Sequence, residues 1–204
     1  MTPDAQPLIA ALDTALERAP DARRSLTLRR LTDLFLVDAA SHTPDQVAVF
    51  DDVISHLIEN IERRTLIELS NRLAPVDNAP VNVIGTLARH ADILIAGPIV
   101  AKSNVLTDAD LVEIADKDRK DHTLLMMMAA RAQLSEAVTD ILVKRGNPAV
   151  ARKVIDNAGA RVSEFGFARL VSRIEHDKEL AAAIVKRADL PADLRPWLTA
   201  SLAR

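Results

Sequence analysis

Leu134-Ser135-Glu136-Ala137-Val138 is answered 28 residues later by Val162-Ser163-Glu164-Phe165-Gly166, and this recurrence decides the fold. The same stride reaches back to Leu106-Thr107-Asp108 and forward to Leu190-Pro191-Ala192. A second aliphatic column runs in phase with it through Ile114, Leu142, Leu170 and Leu198. Repetition at such a period marks a chain built from one supersecondary unit that buries its apolar face only by stacking on its neighbours.

The polar columns assign the unit its helices. Thr107, Ser135, Ser163 and Pro191 are residues suited to a helix N-cap or first turn. Asp108, Glu136 and Glu164 then place a carboxylate at the positive helix end, and Ala192 breaks the column. Leu106 with Leu111, and Val162 with Phe167, have the spacing of a hydrophobic staple. A second helix closes each unit; one is expected from Lys120 to Arg131, with Met127 in register with Ile99, Ile155 and Ala183. Lys102, Arg131 and Lys186-Arg187 fall near the ends of these second helices, where cations complement exposed carbonyls. Gly146-Asn147-Pro148 reads as a C′ glycine, an N-cap and an N1 proline. The expectation is about four two-helix repeats of 28 residues, near 90–117, 118–145, 146–173 and 174–201.

Composition agrees with an all-α chain. Of the 204 residues, 49% are apolar but only 2% aromatic, with five glycines and no cysteine. Without cysteine there are no disulfides or thiolate metal sites, which fits a cytoplasmic protein. Met1-Thr2-Pro3-Asp4 lacks the basic start of a signal peptide, so none is expected. The longest apolar run, Leu124 to Ala130, falls far short of the ~20 residues that cross a bilayer, so no membrane association is expected. Residues 1–75 hold 8 Lys and Arg against 12 Asp and Glu, and residues 76–204 hold 18 against 17. Neither part has the basic excess that nucleic-acid backbones require, and the scarcity of aromatics argues against base stacking.

Residues 1–75 lie outside the repeat and are expected to form an N-terminal helical bundle, with the repeats occupying 76–204. A short helix over 4–19 ends at Pro20, and a second runs from about Ala22 to Ala40 with Leu28, Leu31, Leu34 and Phe35 on one side. Thr43-Pro44-Asp45-Gln46 has the form of a capping box with proline at N1. The helix it opens is expected to reach about Arg72, carrying Val47, Phe50, Ile54, Leu57 and Ile61 on one stripe. That stripe slips at Arg64 and Glu68, which favours packing within a bundle over a long coiled coil. A homodimer through these N-terminal helices is the alternative use of the same stripe. Pro75 ends the helix, and Asn78-Ala79-Pro80 restarts one through Arg89.

Several stretches together resemble a known family. They are Leu87-Ala88-Arg89-His90-Ala91-Asp92, Ala101 to Leu111, Leu134 to Val138 and Gly159 to Glu164, with Val49-Phe50-Asp51-Asp52-Val53 in the N-terminal part. They are similar to the bacterial HEAT/armadillo-like repeat proteins grouped as domain-of-unknown-function family 2336. The resemblance implies an α-α superhelix and brings no catalytic residue with it. Pro98 and Pro196 are expected to kink or shorten their helices, and Trp197 to act as a hydrophobic lid on the terminal unit.

Residues that could carry chemistry have plainer structural uses. His90, His122 and His176 fall at different phases of the repeat, and neither His176 beside Glu175 and Asp177 nor His122 beside Asp118 and Asp121 has a second histidine at helical spacing, so no metal site is expected. His56, with Arg63 and Arg64 one to two turns later to hold phosphate, has the ingredients of a phosphotransfer helix, though no small residue clears space beside it. Ser135 and Ser163 read as caps, not nucleophiles, since no G-x-S-x-G elbow surrounds them. Arg23, Arg24, Arg29 and Arg30 form a basic cluster flanked by Asp21 and Asp33, either a solvated face or a docking site for an acidic partner. Met126-Met127-Met128 is expected to fill core gaps, and the isolated glycines build no phosphate loop. The expectation is a non-catalytic protein-interaction module or scaffold without cofactor or metal; the alternatives are a regulatory or phosphotransfer role for the N-terminal helices through His56 and, third, an enzyme of unrecognised kind.

Overall fold

The computed structural model describes residues 2, 5–16, 21–59, 61–117, 122–173 and 178–202. Among them the chain is all-α: thirteen α-helices, one 3₁₀ turn at Ala39–Ser41, and no strand beyond a lone bridge. It forms two compact units that divide between Thr107 and Asp108. The sequence reading places the division at 75/76, where the repeats are expected to begin. The chain between the two points belongs with the first unit because its helices pack on earlier ones.

The first unit contains α1 (Ala5–Leu16), α2 (Asp21–Val37), α3 (Pro44–Ile58), α4 (Arg63–Leu73), α5 (Val81–Ala88) and α6 (Ile93–Lys102). α3 contacts α1, α2 and α5, while α4 packs on α2, α5 and α6. The Thr43 capping box is present: the Thr43 hydroxyl accepts from the Gln46 amide at 3.3 Å, and the Gln46 side chain accepts from the Thr43 amide at 2.9 Å.

The single helix expected to reach Arg72 is instead two. α3 stops at Ile58, and Glu62, extended at ψ 144°, starts α4. Periodicity explains the break. α3 buries Val47, Ile54, Leu57 and Ile58, and α4 buries Leu66, Leu69 and Leu73. At 100° per residue these two stripes would lie about a quarter turn apart on one unbroken helix. Interrupting it lets both face the core, which accounts for the slip at Arg64 and Glu68.

α5 begins without a cap of its own, since Pro80 provides no side-chain acceptor. Asp51, buried on α3, takes that role across the core. Its carboxylate accepts the amide hydrogens of Asn82 at 3.0 Å and Val83 at 2.9 Å. Pro98 does not shorten α6, which runs on to Lys102. Asp92 caps this helix by accepting from the Leu94 amide at 3.0 Å.

The second unit holds α7 (Asp108–Asp116), α8 (Thr123–Ala129), α9 (Glu136–Arg145), α10 (Pro148–Asp156), α11 (Glu164–Val171), α12 (Lys178–Val185) and α13 (Leu194–Leu202). α7, α9 and α11 begin at Asp108, Glu136 and Glu164, at the stride of 28. They stack as one layer, α7 on α9 on α11; α8, α10 and α12 stack as a second, and α13 packs on α12. All of Leu106, Leu134, Val162 and Leu190 are buried, and Ile114, Leu142, Leu170 and Leu198 have no exposed surface. Both ladders are therefore core. Ser135 accepts from the Val138 amide at 3.4 Å, Ser163 from the Gly166 amide at 2.9 Å, and Asn147 from the Val150 amide at 3.0 Å.

Several local expectations change. The described part of α8 is Thr123–Ala129, and its expected start at Lys120 lies outside the described residues; Met128 is the fully buried methionine while Met127 stays half-exposed. Gly146 is not a left-handed C′ residue, having φ −72°. A side chain there would press within 2.5 Å of the Leu142 carbonyl and the Val150 side chain, so close approach of two helices demands the glycine. Pro196 sits in the first turn of α13, where a missing amide costs no hydrogen bond. Trp197 is 51% exposed, and Leu198 beside it is the fully buried residue.

Candidate functional site

Successive second helices are tied together by side chains that reach back to cap the preceding helix. The Asn157 side-chain amide donates to the carbonyls of Ala129 (3.0 Å) and Arg131 (2.8 Å) at the end of α8. Arg187 donates to the carbonyls of Ile155 (3.0 Å), Asn157 (3.1 Å) and Ala160 (2.6 Å) beyond α10. Arg195 does the same for Val185 (3.0 Å) and Arg187 (3.3 Å) at the end of α12. Each cation or amide meets the unsatisfied carbonyls and negative dipole of a helix C-terminus. On the first-helix layer, Arg173 reaches the Gly146 carbonyl at 3.1 Å and Arg145 pairs with Asp116 at 2.8 Å. The Arg145 hydrogen bond and charge hold the Asp116 carboxyl below the usual carboxylate range.

This stitching frames an open cleft of about 750 Å³ between α10 and α12. Its lining includes Ala158, Ala160, Ala182, Ala183 and Ala188, and the small side chains keep the space open. Charged residues surround them. Arg152 pairs with Asp156 at 2.7 Å and approaches Glu179 at 3.9 Å, while Arg161 pairs with Glu136 at 2.9 Å. Arg187 also grips Asp189 through two 2.8 Å hydrogen bonds. Burial pushes the Asp189 carboxyl up, but the Arg187 hydrogen bonds and charge outweigh it, leaving the group below its usual range. Lys186 is exposed on the cleft wall and has no ion pair among the described residues. The chemistry on offer is apolar contact with alanines, hydrogen bonding at the rim, and one cation available to a carboxylate.

Other candidates from the sequence are dispersed. His56 lies half-buried in the last turn of α3. Because the helix breaks, Arg63 and Arg64 belong to α4 instead of following His56 along one helix, and Arg63 forms an ion pair with Asp92. The hydrogen bond from Arg63, with that from the Leu94 amide, holds the Asp92 carboxyl below its usual range. His90 accepts the Asp92 amide hydrogen on Nδ1 at 2.9 Å, shaping the turn before α6. His122 is half-buried just ahead of α8. His176 with Glu175 and Asp177, and Asp118 with Asp121, lie outside the described residues. Among the described residues, no three His, Asp or Glu side chains converge as metal ligands, and no helix is long and apolar enough to cross a membrane.

The basic cluster of α2 divides in two. Arg29 pairs with Glu68 at 2.8 Å and Arg24 is half-buried, while Arg23 and Arg30 are exposed. Sequence reasoning missed His42, whose ring lies 5.2 Å from both Phe35 and Phe50 and whose Nε2 donates to the Phe35 carbonyl at 2.9 Å. It also missed the trans-capping by Asp51 and the role of Asn157, and it matched Arg187 to the carbonyls of its own helix end, whereas Arg187 donates to those of the preceding helix and the turn beyond it.

The fold and this stitching define an all-helical protein with repeat-like packing of helix pairs in its second unit. The chain belongs to domain-of-unknown-function family 2336, described as an uncharacterised protein conserved in bacteria, which matches residues 95–204. No curated protein and no solved structure matches the chain.

Proposed function

We propose that the chain is a non-catalytic protein-binding module of the cytoplasm, a short HEAT-like α-α superhelix of about four repeats carrying an N-terminal helical bundle. The helix starts spaced by 28 residues and the two helical layers support the repeat reading. The observation that carries the function is the α10/α12 cleft, with its alanines, its ion-paired rim and an exposed Lys186 that has no ion pair among the described residues. Most of its charged groups are engaged in ion pairs or in capping helix ends, an arrangement suited to recognition and not to proton transfer. The ligand that fits is a segment of a partner chain that lays small aliphatic side chains against the alanines and sets a carboxylate beside Lys186. The absence of cysteine fits the cytoplasmic setting.

The test is site-specific photo-crosslinking from position 183 in native cells, read by mass spectrometry. A single protein should be captured from position 183 and not from exposed Ala137. Filling the cleft with Ala182→Trp should abolish capture while leaving circular dichroism unchanged. Equal capture from both positions, or capture that survives Ala182→Trp, would refute the cleft as the binding surface.

A further inference from the structure

We propose that the solvent-facing side of α2 is a second docking face, which receives an acidic amphipathic helix of a partner protein. Helix α2 is apolar on two sides. Ser25, Leu28, Thr32 and Phe35 are buried, and α2 packs on α3 and α4. On the opposite side Leu26, Leu34 and Val37 are 45%, 62% and 76% exposed. A helix that needed only one neighbour would carry polar residues there.

The exposed residues are ordered. At 100° per residue, positions 23, 26, 30, 34 and 37 share an arc of about 80°. Along it run Arg23, Leu26, Arg30, Leu34 and Val37, both cations flanking Leu26 in the first half and aliphatic residues alone in the second. Two turns, about 10.5 Å, separate the arginines. Neither has an ion pair among the described residues, whereas Arg29 pairs with Glu68 and Arg72 with Asp33. Asp33, at the edge of the arc, therefore already has its counter-charge. The positive end of the helix dipole lies beside Arg23 and strengthens the preference for an anion there. The complementary surface is a helix with two carboxylates seven residues apart, followed by aliphatic residues on the same face.

Two other occupants fit less well. A second copy of the chain, paired antiparallel with Leu26 against Leu34, would bring the two Arg30 side chains together, and a parallel pairing would oppose every arginine to itself. An anionic bilayer calls for a cluster of about four to eight cations, and this face offers Arg23 and Arg30.

The experiment uses the full chain and a fluorescein-labelled synthetic helical peptide with glutamates seven residues apart and leucines beyond them. Fluorescence anisotropy should show saturable binding that weakens about tenfold with Arg30→Glu or with salt raised well above physiological strength. Leu34→Asp should abolish it. A peptide with lysines for glutamates should bind the Arg23→Glu, Arg30→Glu double variant better than wild type. All these positions are exposed, so circular dichroism should stay unchanged. Equal binding of a glutamine-for-glutamate peptide, no binding, or indifference to Arg30→Glu would overturn the proposal. So would a wild-type dimer in sedimentation that Leu34→Asp dissolves, or Arg30-dependent cosedimentation with phosphatidylserine vesicles.

Discussion

Replacing Asp51 by alanine should destabilise the first unit by about 2–4 kcal/mol, although Asp51 belongs to one helix and the loss falls on another. Its carboxylate is the acceptor for the Asn82 and Val83 amides that open α5. A buried donor left without a partner costs about 1–3 kcal/mol. Val83 is fully buried and its amide should incur the upper part of that range; Asn82 is exposed, so water can replace some of its loss. Asp51→Asn keeps one acceptor oxygen but gives up the charge at a helix N-terminus, and should cost about 1–2 kcal/mol. Either figure is large against a total stability of about 5–15 kcal/mol. Urea denaturation followed by circular dichroism measures the loss, and amide hydrogen exchange locates it: Asn82, Val83 and Ile84 should lose protection before α9 does. An alanine variant within about 0.5 kcal/mol of wild type, with α5 exchange unchanged, would refute the trans-cap.

Leu142→Asp or Leu170→Asp should collapse the helicity of the second unit, because even Leu→Ala at a fully buried site costs about 2–5 kcal/mol and an unpartnered charge costs more; near-native spectra and melting in both variants would contradict the ladder. Gly159→Ala would drive a Cβ into the Ala132 carbonyl, so the backbone beside the Leu134–Ala160 bridge must shift, at a cost of about 1–3 kcal/mol measurable by thermal melting. Asp92 and Asp116 have carboxyls depressed by their arginines. Their contribution is present above the unfolded value of about 3.9 and is lost as pH falls through the lower folded values. Asp116→Asn should therefore flatten the acid limb of the stability profile below about pH 4; an unchanged limb would show that the Arg145 pair contributes nothing there.

What the chain determined by itself is everything governed by spacing along it. The stride of 28 marked Ile114, Leu142, Leu170 and Leu198, all of which are fully buried, and Ser135, Ser163 and Asn147 announced their helices because a cap acts within four residues of its own position. Tertiary structure decided what depends on residues far apart. Only packing shows that α3 and α4 must break to turn two apolar stripes inward, that Asp51 caps a helix some thirty residues away, and that Arg187 closes the end of α10. Helix α2 illustrates both levels: a step of 100° per residue already parts Leu34 from Leu28 and Phe35, although the sequence expectation set them on one side, but only the folded neighbours decide that the Leu28 and Phe35 side is covered and the Leu34 side is left in solvent beside Arg30. Local hydrogen bonds and periodicity are written along the chain, whereas burial is a property of what the rest of the chain places alongside.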